Sequence, residues 1–390
     1  MAEKLHLDPV RIAMVGGGPG AFIGPVHRMA AELDGVARIV AGAFSSDPQR
    51  ARDGARLCGL PEDRGYADWR ALIAAEAARP DGAEAVAIVT PNHLHLPVAL
   101  AALEAGLHVI SDKPATATLD EALALRDAVS RSGKVYALTY TYTGYAMIRH
   151  ARALVAAGAI GAVRKVTARY AQGWLAERVE AEGNRQAQWR VDPARAGPGG
   201  CIGDIGVHAF NLIEYVSGLT VERFVADLSA LVSGRDLDDD CNVLLRFAGG
   251  APGVLTASQV ATGERNDLRL HVHGTKATLA WSHEDPGSLT ILWPGGRSET
   301  LRAGSPGITG PARLPTGHPE GFIEAFATLY SDFAAAVRGQ TGLVDAQLPG
   351  IRAGMRSMRF VERAVSASAV AAGWTQFDDD NATIPAGESA

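Results

Sequence analysis

The chain has 390 residues, a length that accommodates two domains. Hydrophobic residues make up 47% of it and charged residues 21%, which is ordinary for a globular protein. The net charge is −6 and the Lys and Arg residues are scattered, which argues against a nucleic-acid partner. Residues 1–9 lack the apolar core of a signal peptide, and no apolar run reaches membrane-spanning length. We therefore expect a cytoplasmic protein without a nucleic-acid or membrane partner.

The chain contains three cysteines, Cys58, Cys201 and Cys241. Their spacing matches no metal-binding pattern, so the sequence predicts no metal site. We expect free thiols in a reducing compartment.

The first part of the chain alternates strands and helices, which predicts a parallel sheet with right-handed crossovers. An apolar run at 12–15 stops at three glycines, 16–18, and an amphipathic stretch follows Gly24. A strand, a glycine turn and a helix in this order form the context of a dinucleotide-binding fingerprint. Glycines let the backbone approach a pyrophosphate, and the helix start offers free N–H groups to its charge. Glycines also make ordinary tight turns, but the position after a first strand favours cofactor binding.

Further elements continue this alternation to residue 138. Strands are predicted at 39–44, 85–89, 107–110 and 135–138, and helices at 48–57, 66–75, 95–105 and 119–130.

From about residue 145 the pattern changes. A helix at 147–157 and a strand at 164–170 lead to a Gly-rich segment at 197–203 and a helix at 204–216. Strands predicted at 224–231, 242–247, 253–259, 268–274 and 278–281, with glycine turns between several of them, indicate an antiparallel sheet. Helices return at 321–337 and 350–367, and residues 378–390 are expected to be polar and mobile.

The end of the second strand bears on the choice between NAD and NADP. An acidic residue there binds the ribose diol of NAD, whereas Arg beside small polar residues suits the phosphate of NADP. The sequence has Ser45 and Ser46, followed by Asp47 and Arg50. Asp47 either serves as the acid or caps the helix that begins at Pro48. NAD is favoured, and NADP is not excluded.

Asp204 and His208 are the first candidate catalytic pair. They lie four residues apart, so a helix beginning here places both side chains on one face. A carboxylate beside an imidazole orients the ring and tunes its pKa for proton transfer near neutral pH. The alternative is an N-cap aspartate followed by an incidental helix histidine.

Asp112, Lys113 and Pro114 directly follow the strand at 107–110. Ligands of doubly wound sheets bind outside the carboxyl ends of the strands, so Lys113 is expected to reach toward the nicotinamide. An ammonium group there can hydrogen-bond a substrate hydroxyl and stabilise an alkoxide. The alternative is a solvated lysine in a turn.

Further candidates come from neighbouring strand ends and loops. Thr90, Pro91 and Asn92 follow the strand at 85–89, and His95 begins the next helix; they either line the cofactor pocket or serve as turn and cap residues. Aromatic groups that either pack on a nicotinamide or sugar face or belong to the core are Tyr140, Tyr142 and Tyr145. Candidate substrate contacts in Gly/Pro-rich loops are Trp189, Arg190, His318 and Glu320.

The order of these motifs resembles the glucose–fructose oxidoreductase/inositol dehydrogenase/rhizopine catabolism (Gfo/Idh/MocA) family from residue 11 to about 365. The matching segments are Gly16-Gly-Gly18 through Gly24-Pro-Val-His27, Thr90-Pro-Asn-His-Leu-His95, Asp112-Lys-Pro114 and Gly199-Gly-Cys-Ile-Gly-Asp204-Ile-Gly-Val-His208. The resemblance implies an α/β fold with a Rossmann domain at 1–144. It also implies an α/β domain with a large, mostly antiparallel open sheet at 145–390, whose final helices pack back on the Rossmann domain.

The resemblance makes His208 the general base, Asp204 its partner and Lys113 the lysine that orients the substrate. It also implies a cis peptide bond before Pro114. Three departures from the family pattern stand out. Gly18 and Gly24 are about three residues further apart than usual, Ser45 or Ser46 replaces the acid after the second strand, and Asp112 replaces a common Glu.

We therefore expect an NAD(P)-dependent dehydrogenase that oxidises a secondary hydroxyl of a sugar, glycoside or cyclitol, with the 3-hydroxyl of a pyranoside or an inositol as narrower candidates. Two alternatives are an NAD-dependent glycosidase that uses transient oxidation and elimination, and a non-catalytic sensor of a sugar or dinucleotide. The family also implies a homodimer or homotetramer. The predicted cofactor-binding residues are Gly16, Gly18, Phe22, Ile23, Ser45, Ser46, Arg50, Thr90, Pro91, Asn92, His95, Asp112 and Lys113. The predicted substrate-binding residues are Lys113, Tyr142, Tyr145, Trp189, Arg190, Asp204, His208 and His318.

Overall fold

The computed structural model describes residues 8–377, so the expectation for residues 378–390 lies outside the described residues. The elements of residues 8–144 are, in chain order, β1 (Val10–Gly16), α1 (Ile23–Leu33), β2 (Ala37–Ala43), α2 (Pro48–Leu57), α3 (Trp69–Ala78), β3 (Ala85–Val89), α4 (His95–Glu104), β4 (His108–Ser111), α5 (Leu119–Ser132) and β5 (Tyr136–Leu138). The later elements are α6 (Ala146–Ala156), β6 (Val163–Ala171), α7 (Arg185–Arg190), α8 (Pro193–Ala196), a π-helical turn (Ile202–Gly206), α9 (Val207–Ser217), β7 (Val221–Ser229), β8 (Asp240–Phe247), β9 (Pro252–Ser258), β10 (Asp267–Gly274), β11 (Thr278–Ser282), β12 (Ser288–Leu292), β13 (Ser298–Arg302), α10 (Phe322–Val337), α11 (Ile351–Ala369) and β14 (Thr375–Gln376).

These elements form two compact units. The first unit comprises residues 8–144 and Phe322–Met355, and the second comprises Tyr145–Gly321 and residues 356–377.

The first unit is built on a five-stranded sheet in the order β2-β1-β3-β4-β5, in which every pair is parallel. All five residues of β3, Ala-Val-Ala-Ile-Val, are buried, as expected for a parallel strand covered on both faces. The chain begins at β1 in the sheet, adds β2 on one side and continues with β3 on the other. The carboxyl ends of β1 and β3 therefore mark the switch point where ligands of such sheets bind.

Helix α10 belongs to the core of the first unit. Its side chains Phe326, Tyr330 and Phe333 are fully buried. The ring of Phe326 lies edge-on to the ring of His27 on α1, with 4.8 Å between the ring centroids. Because each buried Phe side chain contributes about 1.5–3 kcal/mol, this C-terminal helix is an integral part of the unit.

The second unit is built on a nine-stranded sheet in the order β13-β12-β11-β10-β6-β9-β8-β7-β14. Its neighbouring strands pair antiparallel, except that β6 and β9 run parallel. Cys241, Val243, Leu245 and Phe247 in β8 are buried and alternate with more exposed residues, because successive side chains of a strand point to opposite faces. The predicted fold class, a Rossmann-type parallel sheet followed by a mostly antiparallel one, is confirmed.

Two helix predictions need correction. The helix predicted at 66–75 begins at Trp69, because the carboxylate of Asp68 accepts the Ala71 N–H at 3.2 Å and caps it. The helix predicted at 204–216 begins two residues earlier, at Ile202, and its first turn is π-helical. At this early start, the carboxylate of Asp238, far along the chain, accepts the Ile202 N–H at 2.7 Å.

Strand β12 was overlooked although Leu289 and Ile291 alternate with polar residues, whereas β13 and α7 lack an apolar period. Strands β12 and β13 form a hairpin in which four of the five β13 residues are exposed. Trp189 and Arg190, expected in a loop, lie on the short helix α7. The side chain of Asn184 caps this helix by accepting the N–H groups of Gln186 and Ala187 at 3.0 and 3.2 Å.

Cys58, Cys201 and Cys241 are all free thiols. Between residues 8 and 377, no helix combines the length and the apolar character needed to cross a membrane. Across the same residues, no group of three or more His, Cys, Asp or Glu side chains is arranged to hold a metal ion.

Candidate active site

The glycine turn of the first unit is wedged between two neighbouring strand ends. Gly16 has a φ of +88°, and a Cβ on it would overlap the carbonyl oxygen of Val89 at the end of β3. A Cβ on Gly18 would overlap the carbonyl oxygen of Phe44, just after β2. Only glycine fits at both positions, so the sheet itself fixes the path of the turn.

The start of α1 suits a phosphate group. Among the described residues no side chain caps this helix, and its first turn carries no acidic residue. Its N-terminal N–H groups and the helix dipole are therefore available to an anion. Phe22, at the N-cap, is 71% exposed, and Ile23 begins the helix. From α2, Arg50 donates from Nη2 to the Pro19 carbonyl oxygen at 2.9 Å and tethers the turn.

The segment after β2 shows what Asp47 does within the protein. Its carboxylate accepts the Arg50 N–H at 2.8 Å and caps α2, so the capping interpretation is confirmed. The Ser45 hydroxyl accepts the Asp47 N–H at 3.1 Å, and Ser46 is exposed. Small hydroxyl side chains thus replace a free acid at the position where a ribose is expected.

His95 links the loops that follow β3 and β4. Its ring is buried, with Nδ1 at 2.7 Å from the Pro114 carbonyl oxygen and Nε2 at 2.9 Å from the Thr90 carbonyl oxygen. Neighbouring Asn92 is also buried. The His95 ring therefore holds together the backbone of two segments predicted to line the cofactor pocket, Thr90-Pro91-Asn92 and Asp112-Lys113-Pro114.

The loop that carries Lys113 is organised by Asp112. One carboxylate oxygen of Asp112 accepts the backbone N–H of Lys113 at 2.9 Å and the Thr139 hydroxyl at 3.0 Å. The Lys113–Pro114 peptide bond is cis, as the resemblance implied. Tyr140 and Tyr142, after β5, are buried at 1% and 4% exposure.

In the second unit, Asp204 lies within the π-helical turn and His208 is the second residue of α9. The N-cap interpretation of Asp204 is wrong: the N-cap is Cys201. One oxygen of Asp204, Oδ2, accepts from Nε of Arg190 at 3.1 Å and from Nε2 of Gln259 at 2.9 Å. His208 is 9% exposed. π-helical turns frequently occur at functional sites, and this one carries the Asp204 carboxylate.

Arg190 lies against two tryptophans. Its guanidinium carbon is 4.2 Å from the ring centroid of Trp189 and 5.8 Å from that of Trp174. Nη1 donates to the backbone and side-chain oxygens of Gln186 at 3.0 and 2.9 Å. The structure therefore brings together Asp204, Arg190 and Trp189, three of the predicted substrate-binding residues, with two residues that the sequence analysis missed, Trp174 and Gln259.

Tyr145 joins a separate polar network in the second unit. Its hydroxyl lies 3.0 Å from Nε2 of His283, whose pKa is lowered by burial. The carbonyl oxygen of Asn266 lies 3.2 Å from Nδ1 of His283, and its side-chain oxygen accepts from the Tyr170 hydroxyl at 2.7 Å. The Tyr170 ring is 6.2 Å from that of His208, centroid to centroid. Gln172, directly after β6, donates from Nε2 to the same Asn266 oxygen at 2.7 Å. The sequence analysis overlooked Tyr170 and Gln172, which are polar residues at the end of a strand.

His318 lies in a long segment without regular structure, residues 303–321. It is exposed, and its Nδ1 is 3.2 Å from the Pro315 carbonyl oxygen in the same segment. Glu320 accepts the backbone N–H of Leu314 at 3.0 Å and pairs with the Arg313 guanidinium at 3.3 Å. Glu320 thus organises the loop, and a role of His318 in substrate binding stays a prediction.

The fold, the glycine turn of the first unit and the side chains around Asp204 in the second unit all point to one class of protein. Residues 10–140 match the model of an oxidoreductase family with an NAD-binding Rossmann fold, and residues 148–280 match the GFO/IDH/MocA C-terminal domain. The chain is 33% identical to an uncharacterized oxidoreductase, YfiI, of Bacillus subtilis over 96% of its own length and 98% of that protein. The chain therefore belongs to the Gfo/Idh/MocA family of NAD-binding oxidoreductases.

Two further relatives are similar over most of the chain. A crystal structure of an inositol dehydrogenase homolog from Azotobacter vinelandii in complex with NAD+ superposes with a TM-score of 0.90 at 38% identity, covering 95% of this chain and 97% of that one. Levoglucosan dehydrogenase of Pseudarthrobacter phenanthrenivorans is 29% identical over 81% of this chain and 83% of that protein.

Proposed function

We propose that this oxidoreductase uses NAD to oxidise a secondary hydroxyl of a sugar, glycoside or cyclitol to a ketone. The observation that carries the proposal is the set of side chains around Asp204: Arg190 and Gln259 donate to its carboxylate, and two tryptophan faces flank the arginine. Polar donors and acceptors beside aromatic faces suit a polyhydroxylated ring. Two similar proteins are an inositol dehydrogenase homolog and a levoglucosan dehydrogenase.

The first unit fits the cofactor. We assign the pyrophosphate to the uncapped N-terminus of α1 and the turn at Gly16 and Gly18, and the ribose to Ser45 and Ser46. Phe22, Ile23 and Arg50, which lie at or against the same turn, are predicted to bind the cofactor. Bound NAD supplies the hydride acceptor, while the protein supplies orientation and charge.

We assign three residues to the substrate hydroxyl. His208 accepts its proton, and Asp204 orients the base. The predicted role of the Lys113 ammonium is to donate a hydrogen bond to a substrate hydroxyl and to stabilise the negative charge that develops on its oxygen. The backbone beneath Lys113 is held by Asp112 at 2.9 Å, which pre-organises the loop for this role. Trp174 and Trp189 supply apolar faces for the CH groups of the substrate ring.

The test is the absorbance of reduced nicotinamide during incubation of the purified protein with NAD or NADP and a panel of inositols, pyranoses and glycosides. We expect reduction of NAD with a subset of the polyols. His208→Ala is expected to lower kcat by at least about 100-fold, the lower end of the usual contribution of a general base, with the Kd for NADH within threefold of wild type. His273→Ala, a histidine on β10 of the same unit that is hydrogen-bonded to Thr278, is the matched control.

Lys113→Met tests the role of Lys113 in binding the substrate hydroxyl, and Lys134→Met in the same unit is its control. The proposal requires a fall in kcat/KM for the polyol in the first variant and none in the second. Binding of NADH without reduction by any polyol, together with release of the aglycone from a glycoside, would replace the proposal with the glycosidase alternative. Binding of a sugar or NADH with neither reaction would favour the sensor. The homodimer or homotetramer stays a prediction, which light scattering tests.

A further inference from the structure

The π-helical turn that carries Asp204 is held at its start by a single residue, Asp238. The two oxygens of its carboxylate accept the N–H groups of Gly200 and Ile202, each at 2.7 Å. Its backbone carbonyl oxygen accepts the N–H of Cys201, also at 2.7 Å. Three consecutive backbone donors therefore end on one residue that lies 36 to 38 positions further along the chain.

Two of these donors, the N–H groups of Cys201 at the N-cap and Ile202 at the first helical position, are ones that a helix cannot satisfy by itself, and Gly200 directly precedes them. The first N–H groups of any helix lack an acceptor in the preceding turn, and the N-cap residue Cys201 forms no side-chain cap. Asp238 supplies the missing acceptors from another part of the chain. The contact is also close at the backbone, because a Cβ on Gly200 would overlap the Asp238 carbonyl oxygen. The path of residues 200–202 is thus fixed against Asp238.

Asp238 is itself held in place by its neighbours. The adjacent Asp239 is buried, and its carboxylate accepts the N–H groups of Leu231 and Val232 at 2.7 and 3.0 Å. Asp239 also receives Nη1 of Arg235 at 3.3 Å, and this buried guanidinium donates to Glu180 at 3.0 and 3.1 Å. The segment 231–239 is therefore internally braced and can transmit a fixed position to the turn.

The same segment also contacts the residues that follow Trp174. Arg235 donates to the carbonyl oxygens of Leu175 and Glu177 at 2.7 and 2.8 Å. Leu175 follows Trp174 directly in the chain. One braced segment therefore contacts both the turn that carries Asp204 and the loop after β6 that carries Trp174.

We propose that Asp238 is a positioning residue for the reaction, which fixes the turn bearing Asp204 and, one helical turn later, His208. This inference rests on the proposed roles of Asp204 and His208. Asp238 contacts neither substrate nor cofactor in this scheme and acts only through the helix that it caps. In the second unit, Asp204 and His208 thus take part in the reaction, whereas the carboxylate of Asp238 fixes their position.

Asp238→Asn is the primary test. The asparagine side chain has nearly the same shape, but its NH2 group would face one of the two backbone N–H groups that the carboxylate now accepts. Burial raises the pKa of Asp238 to about 6, so assays at pH 8 compare the ionised carboxylate with the amide. We expect kcat for the polyol to fall at least tenfold, with the Kd for NADH within threefold of wild type. Asp236→Asn, an exposed aspartate of the same segment, is the matched control and should keep kcat within threefold.

A second pair of variants reaches the same contact from the other side. Gly200→Ala introduces a Cβ into the Asp238 carbonyl oxygen, whereas the nearest atom to a Cβ on Gly203 is a Val361 methyl at 4.0 Å. We expect Gly200→Ala to reproduce the loss of kcat and Gly203→Ala to leave it within threefold. The thermal midpoint of each variant is measured, and kcat is taken per folded enzyme at least 15 °C below it.

The outcomes separate this inference from the proposed function. Absence of NAD reduction with every polyol contradicts the proposed function, and retained kcat in His208→Ala contradicts the role of His208 as base. A large loss in His208→Ala combined with wild-type kcat in folded Asp238→Asn contradicts the positioning role alone. A variant with a lowered thermal midpoint and unchanged kcat per folded enzyme shows a purely structural cap and overturns the inference. Loss of kcat in both Asp238→Asn and Gly200→Ala, with both controls intact, supports it.

Discussion

Nδ1 of His27 lies 2.8 Å from the hydroxyl oxygen of Tyr330, although 303 residues separate the two in the chain. The contact joins α1, which follows the glycine turn, to α10. Both side chains are fully buried. Burial lowers the pKa of His27 to about 4 and raises that of Tyr330, so the core of the first unit holds two neutral groups.

The lowered pKa of His27 predicts acid sensitivity of folding. As the pH falls from 6.5 toward 4, the unfolded chain takes up a proton at His27 that the folded chain does not, so the free energy of unfolding decreases. The difference between 6.5 and about 4 corresponds to about 3 kcal/mol. In urea unfolding at pH 7 and pH 4.5, His27→Gln should lose about 2 kcal/mol less than wild type. His318→Gln, at an exposed histidine, controls for the substitution, and parallel losses in wild type and His27→Gln would contradict the assignment.

The hydrogen bond from Arg190 to Asp204 predicts that Lys cannot replace Arg190. Lysine lacks the planar guanidinium group, so it has no Nε–H to donate to Asp204 and stacks less well on Trp189. Because a hydrogen bond to a charged group contributes about 1.5–3 kcal/mol, Arg190→Lys should lower kcat/KM for the polyol by roughly 10- to 100-fold. Arg195→Lys, on an exposed arginine of the adjacent helix α8, should leave it unchanged. Steady-state kinetics decide, and equal values for the two variants would remove Arg190 from the site.

The cap formed by Asp47 predicts which substitutions the cofactor site tolerates. Asparagine caps helices as well as aspartate does, so Asp47→Asn should leave the KM for NAD within threefold of wild type. Asp47→Ala should cost about 1 kcal/mol of stability, because the Arg50 N–H at 2.8 Å loses its acceptor. A tenfold increase in the KM for NAD in Asp47→Asn would instead make this residue a ribose ligand.

The close approach of Gly18 to β2 predicts that alanine is not tolerated in the glycine turn. The added Cβ would overlap the Phe44 carbonyl oxygen, and overpacking of this kind costs about 1–3 kcal/mol. We expect Gly18→Ala to weaken NADH binding at least tenfold, measured by NADH fluorescence. At Gly287, a built Cβ meets no described atom within 4 Å, so Gly287→Ala is the control. Wild-type NADH affinity in Gly18→Ala would remove the turn from the cofactor site.

Local patterns in the sequence predicted most of the secondary structure. Strand β3 and helix α2 have the predicted bounds, because five consecutive apolar residues and a Pro48 preceded by a capping aspartate are local signals. Strand β13 escaped prediction because it is largely exposed, and an exposed edge strand requires no apolar alternation.

The sequence alone predicted the fold class from the order of strands and helices along the chain. It predicted the dinucleotide-binding turn and the candidate residues Lys113, Asp204 and His208 from their positions within short segments. Only the tertiary structure decided what surrounds them. Gln259 and Arg190 meet at the Asp204 carboxylate although 55 and 14 residues separate them from it. Asp238 caps the same helix from 36 residues beyond its start. Hydrogen bonds between distant segments depend on how the strands pair and how the loops cross, and no local periodicity records that.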